Sequence, residues 1–336
     1  MNNILVTLGP TSMNEETVKS CAEFGVYVFR INLSHTPLNK VEESINLIQS
    51  WTDVPVCLDS EGAQLRNGSM VNEKVKFGVG DEIRIEINPI NGDSTKLSFN
   101  PINVTKQFEV GDKIKVDFNH ACFEIKEKYV DYFLARVISG GTVGSNKAAD
   151  VDRDLLFDPL TEKDRKAIKI GLKNNVENFA MSFANTSQDV ELIRDLCGPK
   201  ANIICKIESP SGLKNLKDII ERTDEILIDR GDLSRRVPIE RIPLFQRQII
   251  SIARSMDTPV YVATNLLESM ITTESPTRAE VNDVISTLEM GANGLVLAAE
   301  TAIGKNPIKA VQMIRSLITE YERWTPNTSI MELLRN

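Results

Sequence analysis

Two short stretches decide the fold, and they read Cys205-Lys206-Ile207-Glu208-Ser209 and Asp229-Arg230-Gly231-Asp232-Leu233. Each follows an apolar run, and their acidic residues Glu208 and Asp232 lie about 24 residues apart, roughly one strand–helix–strand unit. Such a unit brings neighbouring parallel strands to end at the same edge of a sheet. The sequence therefore predicts that the two carboxylates lie side by side at the strand ends of an α/β fold.

A cation is predicted beside these two acids. Lys206 precedes Glu208 by two residues, and strand side chains repeat every second residue, so both point to one face. Mg²⁺ is commonly held by one or two carboxylates while substrate phosphate oxygens complete its coordination. The pattern predicts a site for Mg²⁺ (or Mn²⁺) and an anionic substrate. The structural alternatives are a solvated carboxylate or helix cap for either acid, and a strand-end lysine at the surface for Lys206.

Strand and helix patterns alternate over both outer parts of the chain. The predicted strands are Ile4–Leu8, Val26–Ile31, Val54–Leu58, Phe179–Phe183, Ile203–Ile207, Glu225–Ile228, Val260–Ala263 and Leu295–Leu297. The predicted helices are Glu15–Phe24, Leu38–Gln49, one capped by Thr161 and Asp164, Asp189–Leu196, Gly212–Ile220, Leu244–Ser255, Thr277–Met290 and Pro307–Arg323. This number of strands is typical of a (β/α)₈ TIM barrel. A doubly wound sheet would fit the alternation almost as well.

The positions of polar residues favour the barrel over the open sheet. Polar side chains fall at or just beyond the predicted strand ends in both halves, at Arg30, Asn32, Asp59, Glu208, Asp232, Thr264 and Glu300. A barrel brings all of these ends to one rim, whereas an open sheet spreads them along a line. We therefore predict an α/β TIM barrel.

A block of different character interrupts this alternation at residues 67–147. Residues 77–87 and 108–118 each contain a Gly-Asp turn followed by alternating apolar and polar residues. Turn punctuation with this period-two pattern indicates strands. We predict a small β-barrel-like domain, lid-like in position, inserted into a barrel made of residues 1–66 and 148–336.

Composition narrows the class of protein and of partner. The 336 residues carry a formal net charge of −8, which argues against nucleic-acid binding because that binding depends on excess Lys and Arg. No apolar run reaches the roughly 20 residues of a membrane span. The five cysteines form no Cys-x-x-Cys pair, so buried free thiols in a reducing compartment are expected. With no charged leader in the sequence, a cytoplasmic location is predicted.

Several longer motifs point to one family. They are Arg30-Ile-Asn-Leu-Ser-His, Leu58-Asp-Ser-Glu-Gly, Lys206-Ile-Glu-Ser, Arg230-Gly-Asp-Leu, Ala263-Thr-Asn-Leu-Leu-Glu-Ser-Met-Ile and Ser275-Pro-Thr-Arg-Ala-Glu-Val. In order and spacing, from Ile4 to about Tyr321, the sequence resembles the pyruvate kinase family. The resemblance implies transfer of the phosphoryl group of phosphoenolpyruvate to ADP, giving pyruvate and ATP through a Mg²⁺-stabilised enolpyruvate.

The resemblance also implies roles for individual residues. Glu208 and Asp232 would hold the divalent ion, and Lys206 would neutralise charge on the phosphoryl group and the enolate. Arg30 would contact the phosphoryl group, and Thr264 is linked to proton delivery onto the enolate carbon. The implied substrate-binding residues are Arg230, Gly231, Asp232 and Thr264. Structural alternatives are a rim ion pair for Arg30 and ordinary strand propensity for Thr264.

A monovalent-cation pocket and a nucleotide site are implied in the same way. The residues that match the family's K⁺ pocket are Asn32, Ser34, Asp59 and Ser60. Gln64 stands where potassium-dependent members have glutamate and independent ones lysine, so potassium dependence is open. Arg66 aligns with an arginine that meets the nucleotide phosphates. His35 aligns with a histidine near the same place, although a lone histidine is more often structural.

The sequence departs from the family pattern mainly in the nucleotide half. The departures are Glu61 and Ala63 for lysine and proline, Asn185 for arginine, Asp229 for alanine, Ala298 for serine, and residues 117–119 in the lid domain. Negative charge near the expected polyphosphate opposes ADP binding. Arg235 and Arg236, which follow the departure at Asp229, are either a new anion contact or exposed loop residues.

Three functions are compatible with a retained phosphoenolpyruvate half and an altered nucleotide half of the site, and we expect the first. It is a pyruvate kinase-like phosphotransferase; the second is a Mg²⁺-dependent phosphoenolpyruvate or pyruvate enzyme acting on a non-nucleotide partner, by phosphoryl transfer or aldol-type chemistry. The third is a non-catalytic ligand-binding relative. The family's C-terminal regulatory domain is expected to be absent, which leaves a barrel face for some other contact to cover. A homo-oligomer is one expectation, and the sequence leaves the oligomeric state open.

Overall fold

The structure is a computed structural model that describes residues 2–62, 64–117 and 120–334. It contains two compact units, one made of Met1–Gly62 with Leu160–Asn336 and the other of Ala63–Pro159. The predicted limits of the inserted domain, 67 and 147, lie inside the second unit, because flanking strands pair with its sheet. Ala63 and residues 118–119, which are among the departures from the family pattern, lie outside the described residues.

The larger unit contains a closed parallel barrel. Its strands are β1 (Asn3–Leu8), β2 (Val28–Asn32), β3 (Val56–Asp59), β4 (Asn178–Met181), β5 (Asn202–Ile207), β6 (Glu225–Asp229), β7 (Val260–Ala263) and β8 (Gly294–Leu297). Each strand pairs with its sequence neighbours, and β8 pairs with β1. The barrel prediction is confirmed, and the open sheet is excluded because the last strand closes on the first.

Helices follow the strands of this unit. The longer ones are Glu15–Glu23, Leu38–Trp51, Glu162–Lys173, Ser187–Cys197, Ile242–Ser255, Arg278–Glu289 and Pro307–Arg323. The short helices and turns are Pro210–Lys214, Leu216–Ile220, Arg230–Leu233, Ile239–Arg241, Glu268–Ile271, Ala299–Ala302 and Ile330–Leu333. Within the described residues, none of the helices has the length and apolar character needed to cross a bilayer.

One segment that was predicted as a single helix forms two short helices in the structure. The segment 212–220 was expected to be a single helix, but the chain breaks at Asn215 between two short helices. The Asn215 side-chain amide donates to the backbone carbonyl of Asn185 at 2.7 Å. Asparagine favours such local hydrogen bonds outside helical geometry, so this contact outweighs the apolar periodicity of the segment.

Alternation along the strands separates two apolar layers. The residues that fill the barrel interior are Leu5, Val28, Cys57, Ala180, Ile204, Leu227, Tyr261, Ala263 and Val296, and the opposite faces pack against the helices. At the amino-terminal end of β6, Glu225 accepts hydrogen bonds from the hydroxyls of Tyr27 and Tyr261. These polar residues at the amino-terminal end of the barrel are therefore hydrogen-bonded to one another. All five cysteines are free and buried.

The smaller unit is a β structure with its own core. Its closed seven-stranded barrel consists of Leu65–Asn67, Glu82–Glu86, Lys96–Asn100, Lys113–Val116, Ala121–Lys128, Tyr132–Ser139 and Ala148–Val151. Lys74–Phe77 pairs separately with Gly141–Gly144, and a turn at Val71–Glu73 and a helix at Ile102–Thr105 complete the unit. Buried and exposed residues alternate in Glu82–Glu86 and Lys113–Val116, so the strands after both Gly-Asp turns are confirmed.

A buried carboxylate joins a helix start to the loop after β3. Thr161 and Asp164 form a reciprocal capping box at the start of Glu162–Lys173. The Asp164 carboxylate also accepts from the backbone N–H groups of Glu61 at 2.7 Å and Gly62 at 3.2 Å. Because Asp164 is fully buried, removing its carboxylate would leave these two N–H groups without the acceptor that they have in the structure.

We expect Asp164→Ala to lower the free energy of unfolding by about 2–3 kcal/mol, since it removes the acceptor of one buried and several partly buried donors. The matched control is Ser329→Ala, which removes the equivalent capping box from an exposed four-residue helix and should change the free energy by under about 0.5 kcal/mol. Urea unfolding followed by circular dichroism measures both. Equal effects of the two substitutions would contradict this account.

Candidate active site

Three charged residues form a buried cluster at the carboxyl ends of the barrel strands. Arg30 on β2 donates to a carboxylate oxygen of Asp59 on β3. The ammonium of Lys206 on β5 lies 3.3 Å from the other oxygen of Asp59. Arg30, Asp59 and Lys206 are 3%, 0% and 5% exposed, so each charge depends on the others for compensation.

Mutual compensation fixes the charge state of this cluster. Burial alone would lower the pKa of Lys206, but Asp59, Glu208 and Asp229 outweigh it and raise the pKa well above its usual value. Burial would likewise raise the pKa of Asp59, and Lys206 and Arg30 overcome it, so the pKa is lowered. Lys206 therefore carries a positive charge at neutral pH although it is buried.

Glu208 extends the cluster beyond the end of β5. Its Oε1 lies 2.9 Å from the Lys206 ammonium, and its Oε2 accepts from the backbone N–H of Phe183 at 2.7 Å. Phe183 has a φ of 52°, a conformation that is uncommon for a bulky residue and occurs where surrounding contacts impose it. Burial raises the pKa of Glu208 to about 8, with Lys206 opposing the rise and Asp229 and Asp232 adding to it.

Three carboxylates converge next to this lysine. Glu208, Asp229 and Asp232 each place one oxygen within 4.8 Å of the other two. Hard oxygen ligands of this kind suit Mg²⁺ or Mn²⁺, so the donor set fits the divalent ion expected from the sequence. Asp229 was not predicted as part of this set. Its position at the end of an apolar strand, the same signal that singled out Glu208, could have identified it.

Asp229 also contacts the loop that follows β7. One of its oxygens accepts from the Thr264 hydroxyl at 2.7 Å and from the Gly231 N–H at 3.2 Å, and the other lies 3.8 Å from the Lys206 ammonium. Thr264 has a φ of 76°, which is a genuine outlier for a β-branched residue. Strained residues of this kind cluster at functional sites, which supports the assignment of this rim as the candidate site.

The two arginines near Asp232 have different surroundings. Arg235 donates to Asp232 at 3.0 Å through a guanidinium that is only 7% exposed, so it contacts a protein carboxylate. Arg236 is exposed.

The Arg230 side chain donates to the backbone carbonyls of Ala263 and Thr264 and lies 2.7 Å from Asp283. Its guanidinium therefore holds the turn after β7, and any substrate contact of this segment falls to its backbone and to Asp232.

The residues of the predicted K⁺ pocket lie around the ends of β2 and β3. Asn32 and Asp59 are register partners on these neighbouring strands. The Asn32 side chain accepts from the Ser34 N–H at 2.9 Å, and the Ser60 hydroxyl accepts from the Ser182 N–H at 2.9 Å. These oxygens thus have partners within the protein, and the K⁺ pocket stays a prediction.

The two predicted nucleotide-binding residues belong to different units of the chain. His35 is exposed after β2, whereas Arg66 belongs to the smaller unit, where it donates to Asn146 and Gln64. The ammonium of Lys163 lies 3.5 Å from the carboxylate of Glu61. Its positive charge offsets part of the repulsion between Glu61 and the ADP phosphates that the sequence predicts. A nucleotide site at Arg66 and His35 stays a prediction.

Fold and site together define a (β/α)₈-barrel protein with an acidic, lysine-containing cluster at the carboxyl ends of its strands. The family described as "Pyruvate kinase, barrel domain" matches residues 1–311. A protein named pyruvate kinase from Thermotoga maritima is 34% identical over 330 residues, covering 95% of this chain and 71% of its own length. Plastidial pyruvate kinase 3 of Arabidopsis thaliana is 34% identical over 335 residues, or 96% and 58% of the two chains.

The chain belongs to the pyruvate kinase family. A further relative, named pyruvate kinase, from Methylorubrum extorquens is 32% identical over 326 residues, covering 95% of this chain and 68% of its own. The chain thus spans roughly three fifths to seven tenths of the length of these relatives.

Asp59→Asn removes the negative charge that Arg30 and Lys206 share. We expect the free energy of unfolding to fall by about 3–5 kcal/mol, because the buried Arg30 loses its carboxylate partner and Lys206 loses one of its carboxylate neighbours. The control is Glu43→Gln, which breaks an exposed pair with Lys40 at 2.8 Å and should cost less than about 1 kcal/mol. Chemical denaturation measures both, and a loss at Asp59 no larger than at Glu43 would refute the proposed role of the buried cluster.

Proposed function

We propose that this chain is a pyruvate kinase-like phosphotransferase that transfers the phosphoryl group of phosphoenolpyruvate to ADP. The observation that carries the proposal is the position of the Lys206 ammonium, 2.9 Å from Glu208, beside a set of carboxylates suited to a divalent ion. Phosphoryl transfer depends mainly on positioning and on neutralising charge. A buried ammonium next to a metal-binding set supplies both.

The residues would divide the work by charge and position. Glu208 and Asp232 would hold Mg²⁺ or Mn²⁺, which when bound would neutralise substrate phosphate and carboxylate oxygens. Lys206, kept protonated by Asp59 and Glu208, would stabilise the negative charge that develops on the oxygen losing the phosphoryl group. Because these groups are fixed before the substrate arrives, little reorganisation accompanies the reaction.

Arg30 adds donors for the phosphoryl group. Its Nε and Nη1 are buried without a hydrogen-bond partner among the described side chains, although its other terminal nitrogen donates to Asp59. Buried donors are normally paired, so two open N–H groups indicate a ligand with acceptor oxygens. A phosphoryl group presents such oxygens and suits the guanidinium fork.

The remaining predicted residues complete the proposal. Thr264 would participate in protonating the enolate carbon, and the backbone of Arg230 and Gly231 would face the substrate. Asn32, Ser34, Asp59 and Ser60 would hold K⁺, and Arg66 and His35 would meet the nucleotide.

We expect the chain to form pyruvate from phosphoenolpyruvate, ADP, Mg²⁺ and K⁺ in a lactate dehydrogenase-coupled assay. Lys206→Met should reduce the rate by a factor of about 10²–10³ or more, as for loss of a group that stabilises transition-state charge. Lys40→Met, an exposed lysine, should leave the rate unchanged. Pyruvate formation that is no faster with the native chain than with Lys206→Met would refute kinase activity.

A second function is favoured by the charge of the site. Asp229 adds a carboxylate beside Glu208 and Asp232, and negative charge opposes polyphosphate binding. Asn185, which replaces a family arginine, is engaged by the Ser209 hydroxyl. A divalent ion, Lys206 and an enolate would equally serve phosphoryl transfer to a non-nucleotide acceptor, or aldol-type chemistry.

Release of tritium from [3-³H]pyruvate into water, with Mg²⁺ and without ADP, tests this second function. We expect exchange with the native chain and its loss in Lys206→Met, because the enolate would lose its stabilising charge. Exchange without ADP-linked pyruvate formation would favour a non-nucleotide partner. If neither activity is found, and phosphoenolpyruvate with Mg²⁺ leaves the melting temperature unchanged, both enzymatic functions are refuted, because a bound ligand must stabilise the fold.

A further inference from the structure

The Asp229 carboxylate already occupies the hydrogen-bond donors of the proposed substrate turn. It lies at the end of β6 with one oxygen on the Thr264 hydroxyl and the Gly231 N–H. Gly231 and Thr264 are the residues that the proposed function assigns to substrate. A side chain of this protein therefore makes the contacts that are assigned to a ligand.

The group that makes these contacts has the chemistry of the expected ligand. An N–H and a hydroxyl are the donors that a carboxylate anion such as oxalate requires, and a divalent ion beside them would offset its charge. Asp229 supplies the same charge and the same acceptor oxygens from within the chain. Two carboxylates cannot share these donors, because like charges in close contact repel strongly.

We propose that Asp229 is a specificity-determining residue that takes the place of a ligand's carboxylate in the metal site. The inference rests on the proposed function, since it concerns the ligand of that same site. An α-carboxylate ligand, phosphoenolpyruvate included, has to displace Asp229 from Thr264 and Gly231 before it can bind there. Ligands without a carboxylate next to the reacting carbon avoid this competition.

The proposal predicts two effects of opposite sign. A third carboxylate next to Glu208 and Asp232 strengthens the binding of a divalent ion alone, because affinity for hard cations rises with ligand charge. The same carboxylate weakens the binding of a small dianion to the metal-loaded site. A merely structural role for Asp229 would move both affinities in the same direction or neither.

The experiment compares the full native chain with Asp229→Ala and Asp229→Asn. Mn²⁺ alone is titrated by electron paramagnetic resonance, and oxalate is titrated by calorimetry at saturating Mg²⁺. We expect Asp229→Ala to bind Mn²⁺ about tenfold more weakly and oxalate at least about tenfold more tightly, each a change of about 1.4 kcal/mol. Asp229→Asn keeps the side-chain size, so its gain for oxalate should be smaller while its loss for Mn²⁺ is similar.

Glu43→Ala, at an exposed acid of the same unit, serves as the control and should change neither affinity. Unchanged or weaker oxalate binding in Asp229→Ala overturns the inference, with melting curves showing whether that variant is folded and Asp229→Asn replacing it if it is not. Tighter oxalate binding in the variant without pyruvate formation by the native chain would support the inference and refute the kinase. Failure of all forms to bind both Mn²⁺ and oxalate would refute the inference together with the metal site.

Discussion

The arrangement of the site depends on one carboxylate that is shared by two buried cations. Asp59 lies between Arg30 and Lys206, and it thereby joins strands β2, β3 and β5 at their carboxyl ends. Burial opposes charge on each cation, and Asp59 is the largest of the contributions that raise the pKa of both. In the position that Asp59 gives it, the Lys206 ammonium also lies 2.9 Å from Glu208, one of the three carboxylates suited to a divalent ion.

The two ends of the barrel use polar residues differently. At the amino-terminal end, Glu225 is satisfied by Tyr27 and Tyr261, so its contacts stay within the protein. At the carboxyl-terminal end, Nε and Nη1 of Arg30 are buried without a hydrogen-bond partner among the described residues, and Thr264 holds a strained backbone conformation. Unpaired buried donors and backbone strain both lower stability, and such features cluster at functional sites. The contrast therefore supports a functional site at the carboxyl-terminal rim, where barrel enzymes generally have theirs.

Sequence reasoning succeeded where the determining interactions are local. Strand and helix positions follow from periodicity, and the pairing of Thr161 with Asp164 follows from a three-residue spacing. The proximity of Glu208 to Lys206 follows from the two-residue repeat of a strand. The hydrogen bond from Thr264 to Asp229 joins residues far apart in sequence and depends on side-chain rotamers. No pattern within either segment encodes such a contact, so Asp229 was expected only to alter the charge at the anion-binding end of the turn.

Asp229 and Arg235 bring opposite charges to the same turn. Asp229 brings a negative charge to the cluster, while Arg235 brings a positive charge to Asp232 from a nearly buried position. Asp229 therefore approaches Glu208, while Arg235 engages Asp232. The negative charge of Asp229 lies among the three carboxylates, and the positive charge of Arg235 lies against one of them. The two side chains thus change the net charge of the site in opposite directions.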